Sequence, residues 1–293
     1  MTTDKLSALI NLLDDPDREV YDAVSVQLLS RGEGIISELE DAWEQSPNEL
    51  VQHRIEDILQ RIQLDIAYKG LKRWIENGAE DVLQGAYWVA RHQYPELNFN
   101  ELERKIDKIK TNIWLEINDS LTALEKIKIV NHFIYDIYNY GSEQNFMQPS
   151  YCFINHVLDS HKGNPISLAI IYLAVCQRLE LPVYGLCIPR NFLAAYNDAL
   201  LSRVLFHINP FFRGTPLSQN DIELYFKQMK IKPKDEYFQP CSNKVTILRL
   251  IETLIYIYEQ ESNAGKIAIY KQLIPLFDNE QTYFMEDDEY GDE

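Results

Sequence analysis

Apolar residues recur every third or fourth position through the first half of the chain, and this spacing predicts one helix after another. Leu6, Leu9, Ile10 and Leu13 mark the first. Asp15-Pro16-Asp17 ends it and opens a second, because proline suits the first helical turn. The second carries Val20, Val24 and Leu28 on one face and stops at Arg31-Gly32, where glycine allows a left-handed cap. Further helices are expected over Ile66–Ile75, ending at Asn77-Gly78, and over Glu80–Arg91, ending before Tyr94-Pro95. A longer one, from about Asn100 to Ile117, has Leu102, Ile106, Ile109, Ile113 and Ile117 as its buried stripe. Asn118-Asp119-Ser120 caps the next, with Leu121, Leu124, Ile127, Val130, Ile134 and Ile137 turned inward. Gly141 to Asn145 reads as a polar loop.

The pattern changes between residues 150 and 212. Gly163-Asn164-Pro165 is a compact helix start: Asn164 can cap, and Pro165 fits the first helical position. The helix it opens, Pro165 to Arg178, is apolar nearly all round, which places it in the middle of a domain. Two or three strands follow, over Val183–Ile188, Phe192–Tyr196 and Arg203–Ile208. After Pro233 and Pro240, a helical pair over Asn243–Gln260 and Ala264–Phe277 closes the pattern. The fold class is therefore α+β and predominantly α-helical, with a small antiparallel sheet.

A weak repeat is also present. Pro16, Val20, Val24 and Leu28 recur 31 residues later as Pro47, Val51, Ile55 and Leu59. Proline followed by apolar residues every fourth position resembles a short HEAT-like hairpin. Two such units are too few for a free-standing solenoid. The C-terminal pair resembles one tetratricopeptide-like hairpin, again too little for a peptide-binding superhelix.

Charge narrows the function classes. The chain of 293 residues has a net charge of −17, and the acid is uneven. Residues 1–62 hold 14 acidic and 5 basic side chains, and residues 286–293 hold 6 acidic and none basic. The stretch between them is close to neutral. No basic block offers a nucleic-acid footprint, and an anionic membrane would repel the chain. The opening MTTDKLSALINLLDDPD has no basic segment and is not expected to be a secretory signal. The longest apolar run, Pro165–Cys176, is too short to span a bilayer. Cys152, Cys176, Cys187 and Cys241 follow no metal or disulfide spacing, so a reduced, cytoplasmic protein without metal or cofactor is expected. HExxH, Walker and GxGxxG patterns are absent.

A buried helix followed by antiparallel strands resembles the transglutaminase-like superfamily, an α+β fold related to papain-type proteases. The stretches GAYWVARHQYPEL (85–97), INHVLDSHKGNPISLAIIYLAVCQRLELPVYG (154–185), IPRNFL (188–193) and HINPFFRGTPLS (207–218) are similar to a bacterial branch with C-terminal tetratricopeptide-like helices. The resemblance covers about residues 63–277. Together with the repeat and the charge pattern it divides the chain into four parts: HEAT-like helices over 1–62, outside the resemblance; a core with helical lead-in over 63–235; a hairpin over 236–285; and an acidic tail over 286–293.

In an active enzyme of this kind, Gly-x-Cys stands at the start of the buried helix, where the helix N-terminus favours a thiolate. A histidine on the following strands acts as base and a carboxylate orients it. Carried over by position, these roles fall on Pro165, Asn191 and Asn209. Proline has no nucleophile, and an amide cannot take up a proton near neutral pH. Ser167, in the first turn of the same helix, reads as a capping partner of Asn164. Cys152 and His156, four apart on an expected helix, would share a face. Cys187 would share strand parity with Asn191, and His207 with Asn209, so a Cys187–His207 pair is conceivable beside the plainer reading of a buried cysteine and a structural histidine.

The resemblance also implies a groove where active relatives bind an extended peptide. Its candidate residues are Asn155, His156, Lys162, Gly163, Asn164, Phe192 and His207 with the three degenerate positions. Clustered asparagines would make it polar and neutral, unless they satisfy one another. The expected function is a non-catalytic scaffold or adaptor that binds protein, with a basic partner if charge selects it. The alternative is a thiol hydrolase or peptidase-like enzyme using Cys187 and His207.

Overall fold

The computed structural model describes residues 3–198, 203–277 and 280. The acidic stretch 286–293 and the end of the 236–285 segment lie outside them. The chain divides into two compact units, residues 1–72 with 91–96, and residues 73–90 with 97–293.

The first unit holds α1 (Thr3–Asn11), α2 (Arg18–Leu29), α3 (Ile36–Gln45) and most of α4 (Glu49–Glu76). The Asp17 carboxylate accepts from the Glu19 N–H and fixes the start of α2. Leu13, Val24, Leu28, Ile35, Leu39, Val51, Ile55, Ile58 and Ile62 form one apolar core. Val24 and Leu28 thus share a core with Ile55, the repeat counterpart of Val24. Val20 and Leu59 are only partly buried against the same core. Arg54 stitches α4 to the first turn: its guanidinium donates to the Leu13 and Asp15 carbonyls at 2.8 and 2.6 Å and lies over the Tyr21 ring. The helices expected before and after residue 62 are one continuous helix, because nothing between Val51 and Glu76 breaks the ladder.

The second unit continues with α5 (Val82–Arg91), α6 (Phe99–Trp114), α7 (Ala123–Asn131), α8 (Ile154–Ser160) and α9 (Pro165–Arg178). The stripe Leu102, Ile106, Ile109 and Ile113 is buried as its spacing requires. The next stripe holds only in part. α7 is prolonged by a π-helical turn, His132–Ile137, which adds a residue to the turn and rotates the later positions. Ile127, Val130, Ile134 and Tyr135 face inward, while Leu124 is exposed and Ile137 is 56% exposed.

α9 is buried from Ile166 to Cys176. It packs against a four-stranded antiparallel sheet in the order β1 (Val183–Ile188), β2 (Asn191–Asp198), β3 (Arg203–Asn209), β4 (Thr215–Leu217). The short β4 has no apolar alternation of its own, and its Pro216 suits a sheet edge. α10 (Gln219–Gln228) covers the outer face, where Leu186, Ile188 and Leu193 meet Ile222, Phe226 and Tyr237. α11 (Asn243–Gln260) packs against α9 and β1, and α12 (Ala264–Lys271) folds back on α11 with Tyr258 stacked on Tyr270. The fold is α+β and predominantly helical. No helix among the described residues is long and apolar enough to cross a membrane.

Candidate functional site

The start of α9 is locked from three sides. Asn164 Oδ1 accepts from the Ser167 N–H, and Ser167 Oγ accepts from the Asn164 N–H, both at 3.0 Å. Asn164 Nδ2 donates to Cys152 Sγ at 2.9 Å. Gly163 must lack a side chain here: an added Cβ would stand 2.5 Å from Ser167 Oγ, and the capping box could not close. Pro165 then begins the helix, at its first position.

An open cleft of about 640 Å³ lies beside Pro165. Its wall combines the loop residues Phe146 and Met147, the helix start Pro165 and Ile166, the strand residues Asn191 and Phe192, and Phe211 and Phe212 after β3. Arg190, Tyr225, Arg249, Thr253 and Tyr256 complete it. Phe146, Phe211 and Phe212 form a run of edge-to-face rings with centroids 4.9 and 5.2 Å apart. Phe212 is 62% exposed at the rim.

The turn Pro189-Arg190 between β1 and β2 is held by two helices. Tyr225 Oη of α10 donates to the Pro189 carbonyl at 3.1 Å. Arg249 Nη2 of α11 donates to the carbonyls of Ile188 and Asn191, each at 3.1 Å, and Nη1 approaches Cys187 Sγ at 3.7 Å. Arg249 is only 3% exposed, and burial lowers its pKa, against which the fields of Cys187 and Glu252 act.

The asparagines do not converge. Asn164 is fully buried and committed to its cap. Asn209 Oδ1 accepts from the Phe212 N–H at 3.2 Å and caps the 3-10 turn Pro210–Phe212. Asn155 Oδ1 is buried without a hydrogen bond, and of the four amides only Asn191 lines the cleft. His156, Lys162, Gly163 and His207 are not in its wall; Phe192 is. The wall is therefore mainly aromatic, and of the two alternatives for the asparagines, Asn164 and Asn209 follow the one in which they satisfy backbone groups.

Cys187 and His207 are held apart by the sheet. The two-residue turn pairs Cys187 with Phe192 and Ile188 with Asn191, so Cys187 lies on the face opposite Asn191. His207 pairs with Ala195 and shares the face of Leu193 and Asn191. Thiol and imidazole are on opposite faces, at 3% and 5% exposure. Burial also lowers the His207 pKa, only partly offset by the backbone of Leu217 and Phe238. Cys152 and His156 are separated as well, because the extended residue Phe153 divides the turn of Cys152 from α8.

The thiols are chemically quiet. Burial pushes Cys152 and Cys241 each up to about 12 and raises Cys176. Cys152, Cys176 and Cys187 are buried. Since the thiolate is the reactive form, none of the four cysteines is expected to react with Ellman's reagent at mildly alkaline pH within minutes, and all four should react once the chain is denatured. A rapid native reaction of even one thiol would show a reactive site that the structure does not contain. Among the described residues no group of three His, Cys, Asp or Glu side chains is placed to hold a metal ion.

Comparison with known proteins agrees on the core. A family model described as the transglutaminase-like superfamily matches residues 100–252. A UPF0162 protein of Xylella fastidiosa strain 9a5c is 23% identical over 201 residues, covering 64% of this chain and 68% of its own length. A UPF0162 protein of Buchnera aphidicola from Acyrthosiphon pisum is 28% identical over 159 residues, covering 53% and 56%. No solved structure matches the chain.

Proposed function

This chain belongs to the transglutaminase-like superfamily, and from that premise we propose that it is a non-catalytic member that holds a segment of a partner protein in the cleft beside Pro165. The observation that carries this reading is the pairing of a lost nucleophile with a preserved cleft. The helix start is intact, its cap is complete, and the position that chemistry needs is proline. The wall beside it includes Phe212 and Met147, 62% and 37% exposed, next to the rings of Phe146 and Phe211, an apolar surface that a partner's side chains could cover. Aromatic and arginine side chains are also the residue types that dominate binding energy at protein interfaces.

In this reading the protein is a cytoplasmic scaffold. Residues 1–62 form a HEAT-like appendage whose acidity favours a basic partner surface. Residues 63–235 form the binding core, and 236–285 a supporting hairpin. A thiol hydrolase reading has no geometric support, since Cys187 and His207 face away from each other.

The test is selection from a random-peptide display library on the full chain. Enriched peptides should lose about tenfold or more in affinity for a variant with Met147→Ser and Phe212→Ser. Both sites are exposed, so the thermal midpoint should stay unchanged. No enrichment, or equal binding to both proteins, would sink the reading.

A further inference from the structure

The wall of the cleft is mainly apolar, but one polar group in it is uncommitted. We infer that the cleft reads the backbone of the segment it holds. The carboxamide N–H of Asn191 donates to a main-chain carbonyl of an uncharged, extended peptide, whose apolar side chains lie against the neighbouring rings. This rests on the peptide-binding reading above and adds the group that recognises the peptide.

Asn191 is fixed before any ligand arrives. Its main-chain carbonyl accepts from Arg249 Nη2 at 3.1 Å, and its Oδ1 accepts from the Phe192 N–H at 2.8 Å. A backbone N–H needs an acceptor, so the second bond decides which way the amide faces: the oxygen meets its own chain and Nδ2 does not. The two N–H bonds of Nδ2 have no partner among the described residues. The residue is half-buried in the cleft wall. The other polar side chains there are engaged. Tyr225 Oη donates to the Pro189 carbonyl, and Thr253 Oγ1 donates to the Arg249 carbonyl at 2.8 Å. Arg249 is held by the Ile188 and Asn191 carbonyls, and Arg190 and Tyr256 have interactions of their own within the protein.

What the cleft offers a ligand is therefore a neutral donor among rings, and a neutral donor suits a neutral acceptor. A carboxylate or phosphate would lose its water in a chain of net charge −17, with both arginines of the wall already engaged. A peptide carbonyl asks for less. In an extended segment the side chains stand out of the plane that holds the carbonyls. One segment can then turn a carbonyl to Asn191 and rest apolar side chains on Phe146, Phe192 and Phe212. The rings supply contact area, and the amide fixes the register.

The probe is the acetylated, amidated pentapeptide Ser-Phe-Ala-Phe-Ser, which carries no charge, titrated calorimetrically into the full chain. Three further probes replace one inner carbonyl oxygen each by sulfur, a weaker acceptor. One of the three should bind several-fold more weakly than the parent peptide. Asn191→Asp keeps an oxygen for the Phe192 N–H and removes the donor, so the thermal midpoint should stay unchanged. The parent peptide should bind this variant about tenfold more weakly, and the sulfur probes should then match the parent. Equal or tighter binding to Asn191→Asp, no loss with any sulfur probe, the same loss on both proteins, or no binding of the parent peptide would each overturn the inference. The sulfur probes need no variant, so they decide even if Asn191→Asp fails to fold. The library selection separates this failure from failure of the reading it rests on. Peptides that need Met147 and Phe212 yet bind Asn191→Asp unchanged would keep the binding role and remove the carbonyl contact.

Discussion

Gly214→Ala is expected to lower the free energy of unfolding by about 3 kcal/mol, the sum of a strained backbone and a steric conflict. Gly214 has φ of +66°, a region where a side chain is penalised. An added Cβ would stand 1.9 Å from Asn131 Oδ1, so one of the two must move. Asn131 is poorly placed to yield. Its Nδ2 donates to the Gly214 carbonyl at 2.7 Å, and its Oδ1 accepts from Tyr172 Oη at 2.9 Å, deep in the core. Moving Asn131 leaves those groups without partners, at about 1 kcal/mol or more each. Urea unfolding at fixed pH measures the difference. A loss below about 1 kcal/mol would show that Asn131 swings aside freely and that its two hydrogen bonds do not pin it.

Arg249→Met should cost a comparable amount, about 3 kcal/mol, although methionine keeps much of the apolar volume. The loss comes from the carbonyls of Ile188 and Asn191, which would be left buried without their charged donor. The effect should also be local. Amide hydrogen exchange in the β1–β2 turn should speed up, while that of α9 follows the global stability only. Unchanged stability and an unchanged turn would mean that the guanidinium does not hold the hairpin.

Local sequence signals specify some of these elements and leave others unmarked. α9 is legible to the residue, because glycine, a capping asparagine and proline precede a wholly apolar run. β1 and β3 are legible from their β-branched and aromatic content. α10 and β4 are not, since both are short and their apolar faces are completed by distant segments. The π-helical turn at His132–Ile137 is invisible to a 3.6-residue period, and so is the exposure of Ile137. For the site, the position of Pro165 can be read, but the wall cannot. It draws on loop, strand and three helices, α9, α10 and α11, that share no local pattern. Arg249 is the hardest to see. With Thr246, Thr253 and Tyr256 it makes a stripe that looks solvent-facing, yet α11 is buried on nearly all sides and that stripe meets the sheet and the cleft. A single arginine among Ile247, Leu248, Leu250 and Ile251 is the available clue. The strand parity of Cys187 fails for a related reason: the turn after it has two residues, and that number alone decides which face the next strand presents.

Pro165 has one further consequence. Proline has no backbone N–H. In acyl-transfer enzymes the amide hydrogen of the nucleophile's own residue commonly helps to bind the oxyanion that forms when a carbonyl is attacked. In the proposed non-catalytic reading, one residue at the head of α9 lacks two functions together, the attacking atom and a donor that would polarise the carbonyl. Restoring a thiol there by exchanging the side chain alone would also restore that N–H, whereas a nucleophile brought from elsewhere would still face an unpolarised bond. A peptide carbonyl lying over this helix start is expected to leave as it came, which suits the binding role proposed for the cleft.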